Sequence, residues 1–214
     1  MNLTFNLSTF DMRLSKLMPL LNLNLLSPNV LLCGGALQVL FDPKAKVNDF
    51  DLYFVIPNQV IGKTIFQYAP EKFDLDLLVK QTRDKLTNLN FKCVFECPEG
   101  KLYSYKKDKI KIQLIVEQVG NKIYSCPFEV IDDFDLSCCC IATDGSQVFT
   151  LSKAVRDIRR RRLSIHKLLH PVSTLNRIGK YRYKKGYSYA AVREEFLIHL
   201  GIDPNAWDMR RYVD

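Results

Sequence analysis

Residues 29–56 read NVLLCGGALQVLFDPKAKVNDFDLYFVI, from Asn29 to Ile56. The pattern predicts a strand, a Gly34-Gly35 turn, a short helix, a polar loop and a second strand opened by Asp49 and Asp51. Residues two apart on a strand share a face. Both carboxylates therefore point the same way from an apolar strand. Like charges that close repel, and their burial is costly unless a cation compensates. Hard oxygen ligands of this kind suit magnesium, which takes one or two carboxylates together with substrate phosphates. Glycine lets the backbone come close to a ligand, and the following helix would turn free N–H groups toward phosphate.

This arrangement resembles the nucleotidyltransferase superfamily of DNA polymerase beta, the CCA-adding enzymes and the poly(A) polymerases. Their signature is an apolar strand, Gly-Gly or Gly-Ser, a helix, then Asp-x-Asp on the next strand. Leu31, Leu32, Gly34, Gly35, Asp49 and Asp51 match it, and Cys33 falls where small or apolar residues are allowed. Gly-Gly and Asp-x-Asp alone are weak signals, and a chance Asp pair at a strand edge is the competing reading. Their order on strand, helix and strand is what gives specificity. The resemblance implies an α+β fold of the polymerase-beta type, with a mixed sheet, flanking helices and a C-terminal helical extension. It also implies a Mg²⁺ (or Mn²⁺) dependent enzyme that takes an NTP as substrate. A looser resemblance covers FDLSCCCIATDG (Phe134 to Gly145) and RIGKYRYKKGY (Arg177 to Tyr187). Nucleotidyltransferase-like proteins of large DNA viruses, phages and fungi carry similar blocks.

Outward from this segment, Ser8 to Leu26 has helical spacing interrupted by Pro19. Pro70 to Leu89 predicts a helix with Leu75, Leu78, Val79 and Leu86 inward. Asp74 and Asp76 are then acids of its first turn, since residues two apart on a helix do not share a face. Strands are predicted at 91–97, 102–105, 110–116 and 134–143, with an extended piece at 128–131. The hairpin signal Asp144-Gly145 leads into 148–150. Helices are predicted at 152–169, at 173–185 ended by Gly186, and at 189–200 ended by Gly201. A mixed sheet followed by helices divides the chain into a catalytic domain, 1–150, and a basic helical extension, 151–214.

The 214 residues include seven cysteines, three of them consecutive at 138–140. Adjacent strand cysteines point to opposite faces, which argues against a regular disulfide set and for reduced thiols in a cytosolic or nuclear compartment. Cys93 and Cys97 have no second pair to complete a zinc site. The N-terminus lacks a secretory signal, and the apolar stretch 14–32 is too interrupted to span a membrane. The net charge is +8. Residues 1–150 carry −1 and residues 151–214 carry +9. That asymmetry points to a polyanionic partner.

Superfamily members complete a two-metal site with a third acid on a neighbouring strand. Gln113 of KIKIQLIV stands where one pattern would want an acid, and an amide is a poor magnesium ligand. Asp135 of DDFDLSCC is the favoured candidate, with Asp132 and Asp133 as loop acids nearby. The competing reading makes Asp135 a strand-edge acid paired with a base of the C-terminal helices.

Arg159 to Arg162 would point in four directions on a helix. Lys153, Arg156, Arg160 and Lys167 share a face more readily. RIGKYRYKKGYSYAAVR interleaves Arg177, Lys180, Arg182, Lys184 and Lys185 with tyrosines, a pattern that binds phosphates and stacks bases. Arg160, Lys184 and Lys185 are candidate nucleic-acid contacts, and Lys180 a candidate triphosphate ligand. His166 and His170, at i and i+4, lack the glutamate of a zinc-protease motif and read as a surface pair. Trp207 is expected to anchor the C-terminus.

These features predict transfer of a nucleoside monophosphate to an acceptor hydroxyl on RNA, on protein or on another nucleotide. Asp49, Asp51 and Asp135 would be the metal ligands, with Gly34 and Gly35 at the phosphates. A catalytically inactive nucleic-acid-binding module on the same fold is the alternative, marked by Gln113. A toxin or antitoxin partner is a third reading and rests only on small size.

Overall fold

Strand-forming runs rich in Val, Ile, Leu, Phe and Tyr pair into one sheet in the computed structural model. The structure describes residues 1–56, 74–99, 101–116 and 124–189, together with Val192, Glu195, Ile198 and Gly201. Among these, the strands are β1 (Asn2–Asn6), β2 (Val30–Cys33), β3 (Phe50–Phe54), β4 (Lys92–Glu96), β5 (Leu102–Lys107), β6 (Ile110–Ile115), β7 (Ile141–Thr143) and β8 (Gln147–Leu151). Their order is β1-β8-β7-β2-β3-β6-β5-β4. The β3–β6 pairing is parallel and the other pairings are antiparallel, so the sheet is mixed. This is the α+β, nucleotidyltransferase-type architecture that the sequence predicts.

β2 is buried along its whole length, as a central strand covered on both faces must be. Alternation divides its residues between two cores. Val30 and Leu32 join Phe50, Leu52, Ile112 and Leu114 in the larger one. Leu31 and Cys33 join Tyr53, Tyr124, Val130 and Ile131 in the smaller one. Asp51, one residue from Leu52 and two from Tyr53, therefore belongs to the smaller-core face. Helix α2 (Leu75–Asn88) is capped by Asp74, whose side chain accepts from the Leu77 N–H at 3.0 Å, with Asp76 in its first turn. It buries Val79 and Leu86 in the larger core and packs Leu75 and Leu78 against it.

Several expected elements come out differently, each for a local reason. Residues 7–21 form a 3₁₀ helix, Leu7–Lys16, followed by the four-residue α1, Met18–Leu21, because Pro19 can sit only in a first turn. The piece expected to be extended at 128–131 is α3 (Pro127–Asp132). Pro127 pre-sets its first turn and the Glu129 carboxylate accepts the Ser125 N–H at 2.7 Å. The long strand expected at 134–143 shrinks to β7, preceded by a 3₁₀ turn at Ser137–Cys139. Its backbone turns instead toward 163–167: His166 N–H donates to the Asp135 carbonyl at 2.7 Å and Ser137 N–H to the Ser164 carbonyl at 3.0 Å. The buried Asp157 carboxylate accepts from the hydroxyls of Ser137 and Ser164 and ties the two segments together.

The helix expected at 152–169 is α4, Ser152–Arg160, ended by Arg161 in the left-handed conformation at φ 48°. His166 and His170 therefore do not share a helix face. His166 bonds Asp132 at 3.1 Å, and His170 precedes the next helix. That helix, α5 (Pro171–Lys185), ends at Gly186 as predicted. Val192, Glu195 and Ile198 are helical. Trp207 and the expected helix start at Pro70 lie outside the described residues. Ile158, Leu163, Ile165, Ile178, Tyr181 and Tyr187, all beyond residue 150, are part of the larger core.

Candidate functional site

The site forms where β2 ends and β3 begins. Cys33 and Asp51 are register partners across β2 and β3, so the Gly-Gly turn starts beside the Asp51 carboxylate. Gly34 has φ +80°, a conformation that side chains other than glycine rarely adopt, and a Cβ there would lie 3.9 Å from Asp51 Oδ2. The segment that follows is a 3₁₀ helix, Gly34–Leu40, not the α-helix expected from sequence. Seven residues of 3₁₀ give little aligned dipole, so any phosphate contact here would come from close backbone approach at the glycines.

Asp49 precedes β3 and Asp51 lies within it. Burial, and next the charge of Asp49, push Asp51 up to about 7. Lys180, Lys111 and Arg177 act in the opposite direction. Asp51 Oδ1 is sealed from solvent and has no hydrogen-bond partner among the described residues. A buried carboxylate oxygen left in this state carries an unmet demand for a cation or a donor.

Helix α5 supplies the cations. A Cβ on Gly35 would meet the Tyr181 hydroxyl at 2.9 Å and Lys185 Nζ at 3.4 Å, so α5 lies directly on the turn. Gln38 of the turn holds Tyr181 in place through Nε2 to the hydroxyl at 3.1 Å, and the same hydroxyl is 3.0 Å from Cys139 Sγ. Lys185 lies 4.4 Å from the centre of the Tyr181 ring. Burial lowers the Lys185 pKa, with Lys180 adding to the effect and Asp49 opposing it. Lys185, a candidate nucleic-acid contact by sequence, is thus half-buried beside the Gly-Gly turn. Lys184 is exposed one residue away, and Arg160 is exposed at the end of α4.

The third-carboxylate expectation needs correction. Asp135 is not on a strand next to β3. It lies between α3 and the 137–139 turn and is buried there. Its oxygens accept from Leu136 N–H at 2.9 Å, the Thr174 hydroxyl at 3.0 Å and Arg177 at 3.1 Å. Asp135 pins α5 to the body through Thr174 and Arg177, which is the competing reading of the sequence. Its loop neighbours are also paired: Lys167 bridges Asp133 at 2.7 Å and Asp132 at 3.6 Å. The position opposite Asp51 on the parallel neighbour β6 is Gln113, whose amide donates to the Ser104 hydroxyl at 3.2 Å. Among the described residues no three His, Cys, Asp or Glu side chains gather closely enough to hold a metal ion. Two carboxylates and an unpartnered Oδ1 fit one magnesium ion whose other ligands are phosphate and water. They do not furnish a second ion bridged by a third acid.

Lys111 and the site role of Arg177 were not singled out in the sequence. Lys111 had a signal, since it lies two residues before Gln113 and so on the same face of β6. The part played by Arg177 depends on how α5 is placed and has no local signal.

The family model described as Gad2, Gabija anti-defense 2 family protein, matches residues 7–161. The chain belongs to the Gabija anti-defense 2 family. The match spans Gly34, Gly35, Asp49, Asp51 and Gln113, and stops short of α5. No curated protein matches the chain. Solved structures do. The Thermotoga maritima CCA-adding enzyme complexed with tRNA matches at TM-score 0.59 and 14% identity, over 92% of this chain and 45% of that one. A CCA-adding enzyme in complex with ATP matches at TM-score 0.62 and 14% identity, over 92% and 46%. The CTP complex of a CCA-adding enzyme gives 0.59 and 13%, again over 92% and 46%. At these identities the similarity is one of fold, and the chain spans less than half the length of the chains it matches. Among the described residues no helix is long and apolar enough to cross a membrane.

Proposed function

We propose that this chain binds a nucleoside triphosphate with magnesium, or manganese, at Asp49 and Asp51 and transfers its nucleoside monophosphate to an acceptor hydroxyl, most favourably on RNA. The Asp51 carboxylate carries the reading. It is shielded, repelled by Asp49, unpartnered at Oδ1 and set against Gly34. Fold alone argues for no more than this kind of site. The solved neighbours hold ATP, CTP and tRNA.

In this reading Asp49 and Asp51 hold the ion, and Gly34 lets the triphosphate approach the backbone. Lys180, Arg177 and Lys111 neutralise phosphate charge from the opposite side, in a site shielded enough to strengthen each contact. When bound, the metal would polarise the phosphoryl group under attack and stabilise the leaving pyrophosphate. Tyr181 and Gln38 keep α5 seated, so that the cations stay aimed at the carboxylates. Lys184 and Arg160 offer exposed charge to an RNA acceptor. This site would be the means by which the chain counters Gabija, as its family name suggests.

A second reading has one specific observation behind it. Gln113 stands opposite Asp51, and an amide neither binds a second magnesium well nor takes a proton from an acceptor hydroxyl. A protein of this kind would hold a nucleotide without transferring it.

Incubation with NTPs labelled at the α-phosphate, in the presence of magnesium and either total RNA or protein, separates the two. Label should pass to RNA and should disappear in Asp51→Asn. Nucleotide binding without transfer to any acceptor selects the second reading. In cells carrying Gabija, Asp51→Asn at equal protein level should lose the anti-defense effect.

A further inference from the structure

A cavity of about 280 Å³ lies between the 42–46 loop and the C-terminal end of α5. Its charge is one-sided. Asp42 lines it and is already matched by Arg161, with NH2 at 2.7 Å and Nε at 2.8 Å from the same carboxylate oxygen. Lys44, Lys46, Lys184 and Lys185 line it as well, with no second acid among the described lining residues.

Two buried polar atoms on its wall have no partner. Gln38 is 0% exposed, and its Nε2 donates to the Cys138 carbonyl at 2.9 Å. A carbonyl only accepts, so the amide nitrogen must face it, and Oε1 is fixed on the other side as an unused acceptor. Tyr187 is 4% exposed, and its hydroxyl is likewise without a partner. Each such group costs about 1–3 kcal/mol when nothing satisfies it. Two of them on one lysine-lined cavity specify a ligand's chemistry. It must carry negative charge for the lysines, accept from or donate to the Tyr187 hydroxyl, and donate to Gln38 Oε1.

Inorganic phosphate meets the first demand and meets the last poorly. A neutral sugar meets the last and not the first. A nucleoside triphosphate exceeds a cavity at the small end of ligand sites, which begin at about 300 Å³. We propose that this cavity binds a sugar phosphate: a phosphomonoester whose oxygens take the lysines and Tyr187 while a neighbouring hydroxyl donates to Gln38 Oε1. The source can be a free sugar phosphate or the 5′-phosphorylated ribose at an RNA end. The site stands apart from the nucleotidyl-transfer reading and shares Lys185 with it, since that side chain also lies against Gly35.

Calorimetric titration of the full chain at low salt without divalent ions tests this. The probes are ribose 5-phosphate, ribose, inorganic phosphate, and one short RNA with a 5′-phosphate or a 5′-hydroxyl. Ribose 5-phosphate should bind about tenfold or more tightly than inorganic phosphate or ribose, a factor of ten being about 1.4 kcal/mol. Lys44→Ala combined with Lys46→Ala, both exposed, should weaken it by about tenfold. Tyr187→Phe keeps the ring that packs on Tyr181 at 5.3 Å and should weaken binding by a smaller factor. Asp51→Asn should leave it unchanged. A 5′-phosphate that tightens RNA binding beyond ribose 5-phosphate assigns the source to an RNA end, and the converse assigns it to the free compound. The proposal is overturned by no binding of any phosphomonoester, by equal affinity for inorganic phosphate, or by affinity indifferent to the lysine and Tyr187 substitutions.

Discussion

Gln113 of β6 stands directly opposite Asp51 of β3 in the parallel pairing. Neighbours in register on adjacent strands share a face, so the amide is aimed at the side of the sheet where Asp51 and Asp49 gather. An acid at 113 would add a third negative charge to a carboxylate already pushed up to about 7. Gln113→Asp should therefore lower the melting temperature in chelator by several degrees, about 1–2 kcal/mol. Magnesium should recover more of that loss than it adds to the wild type. Equal magnesium shifts in both proteins would place residue 113 away from the ion.

The titration of Asp51 makes stability depend on pH. Its carboxyl is raised from 3.8 to about 7, first by burial and then by Asp49. Between those values the folded state holds a proton that the unfolded chain has released, so stability falls as pH rises through that window and levels off above it. Without divalent ions, Asp51→Asn should remove this slope and stabilise the protein at pH 8 by about 2–4 kcal/mol. Denaturant melts at pH 5 and pH 8 give the comparison. A wild-type slope of opposite sign, or a destabilised Asn variant at pH 8, contradicts the burial of this carboxylate.

Asp135 holds α5 through Thr174 and Arg177. Asp135→Ala leaves a buried hydroxyl and a guanidinium without their acceptor and should cost about 2–4 kcal/mol in a denaturant melt. The dependence of nucleotide binding on magnesium should survive in this variant, read at a temperature where it is folded. Loss of that dependence with unchanged stability would return Asp135 to the role of metal ligand.

Gly35 is fixed by contact. A Cβ there would stand 2.9 Å from the Tyr181 hydroxyl, which is itself held by Gln38 and Cys139. Gly35→Ala should destabilise by about 1–3 kcal/mol through overpacking. Removing the hydroxyl with Tyr181→Phe should make the same substitution less costly. Additive losses in the double variant would mean that α5 does not rest on the turn.

The sequence carried the centre of the fold because residues 29–56 hold nearly every local signal in one run. Buried Val30 to Cys33, the Gly-Gly turn and the Asp-bearing β3 specify two central strands and their register. The hairpin at Asp144-Gly145 and the Asp74 cap were legible for the same reason: each is a bond between near neighbours. What was misread depends on contacts distant in sequence. Residues 134–140 look like a strand until Asp157 and Ser164 draw Ser137 aside. Asp135 looks like a site acid until α5 delivers Arg177, 42 residues later, to its carboxylate. The basic run at 177–185 was visible as charge, but charge does not tell which lysine faces solvent. Lys184 does, and Lys185 turns inward beside Gly35.

The most direct test of the site is equilibrium binding of a labelled NTP, with magnesium and in chelator, to the wild type, Asp49→Asn and Asp51→Asn. Binding should require magnesium and weaken by about tenfold or more in either variant, a loss of at least about 1.4 kcal/mol. Affinity that survives both the chelator and the loss of both carboxylates would contradict a metal–nucleotide site at Asp49 and Asp51.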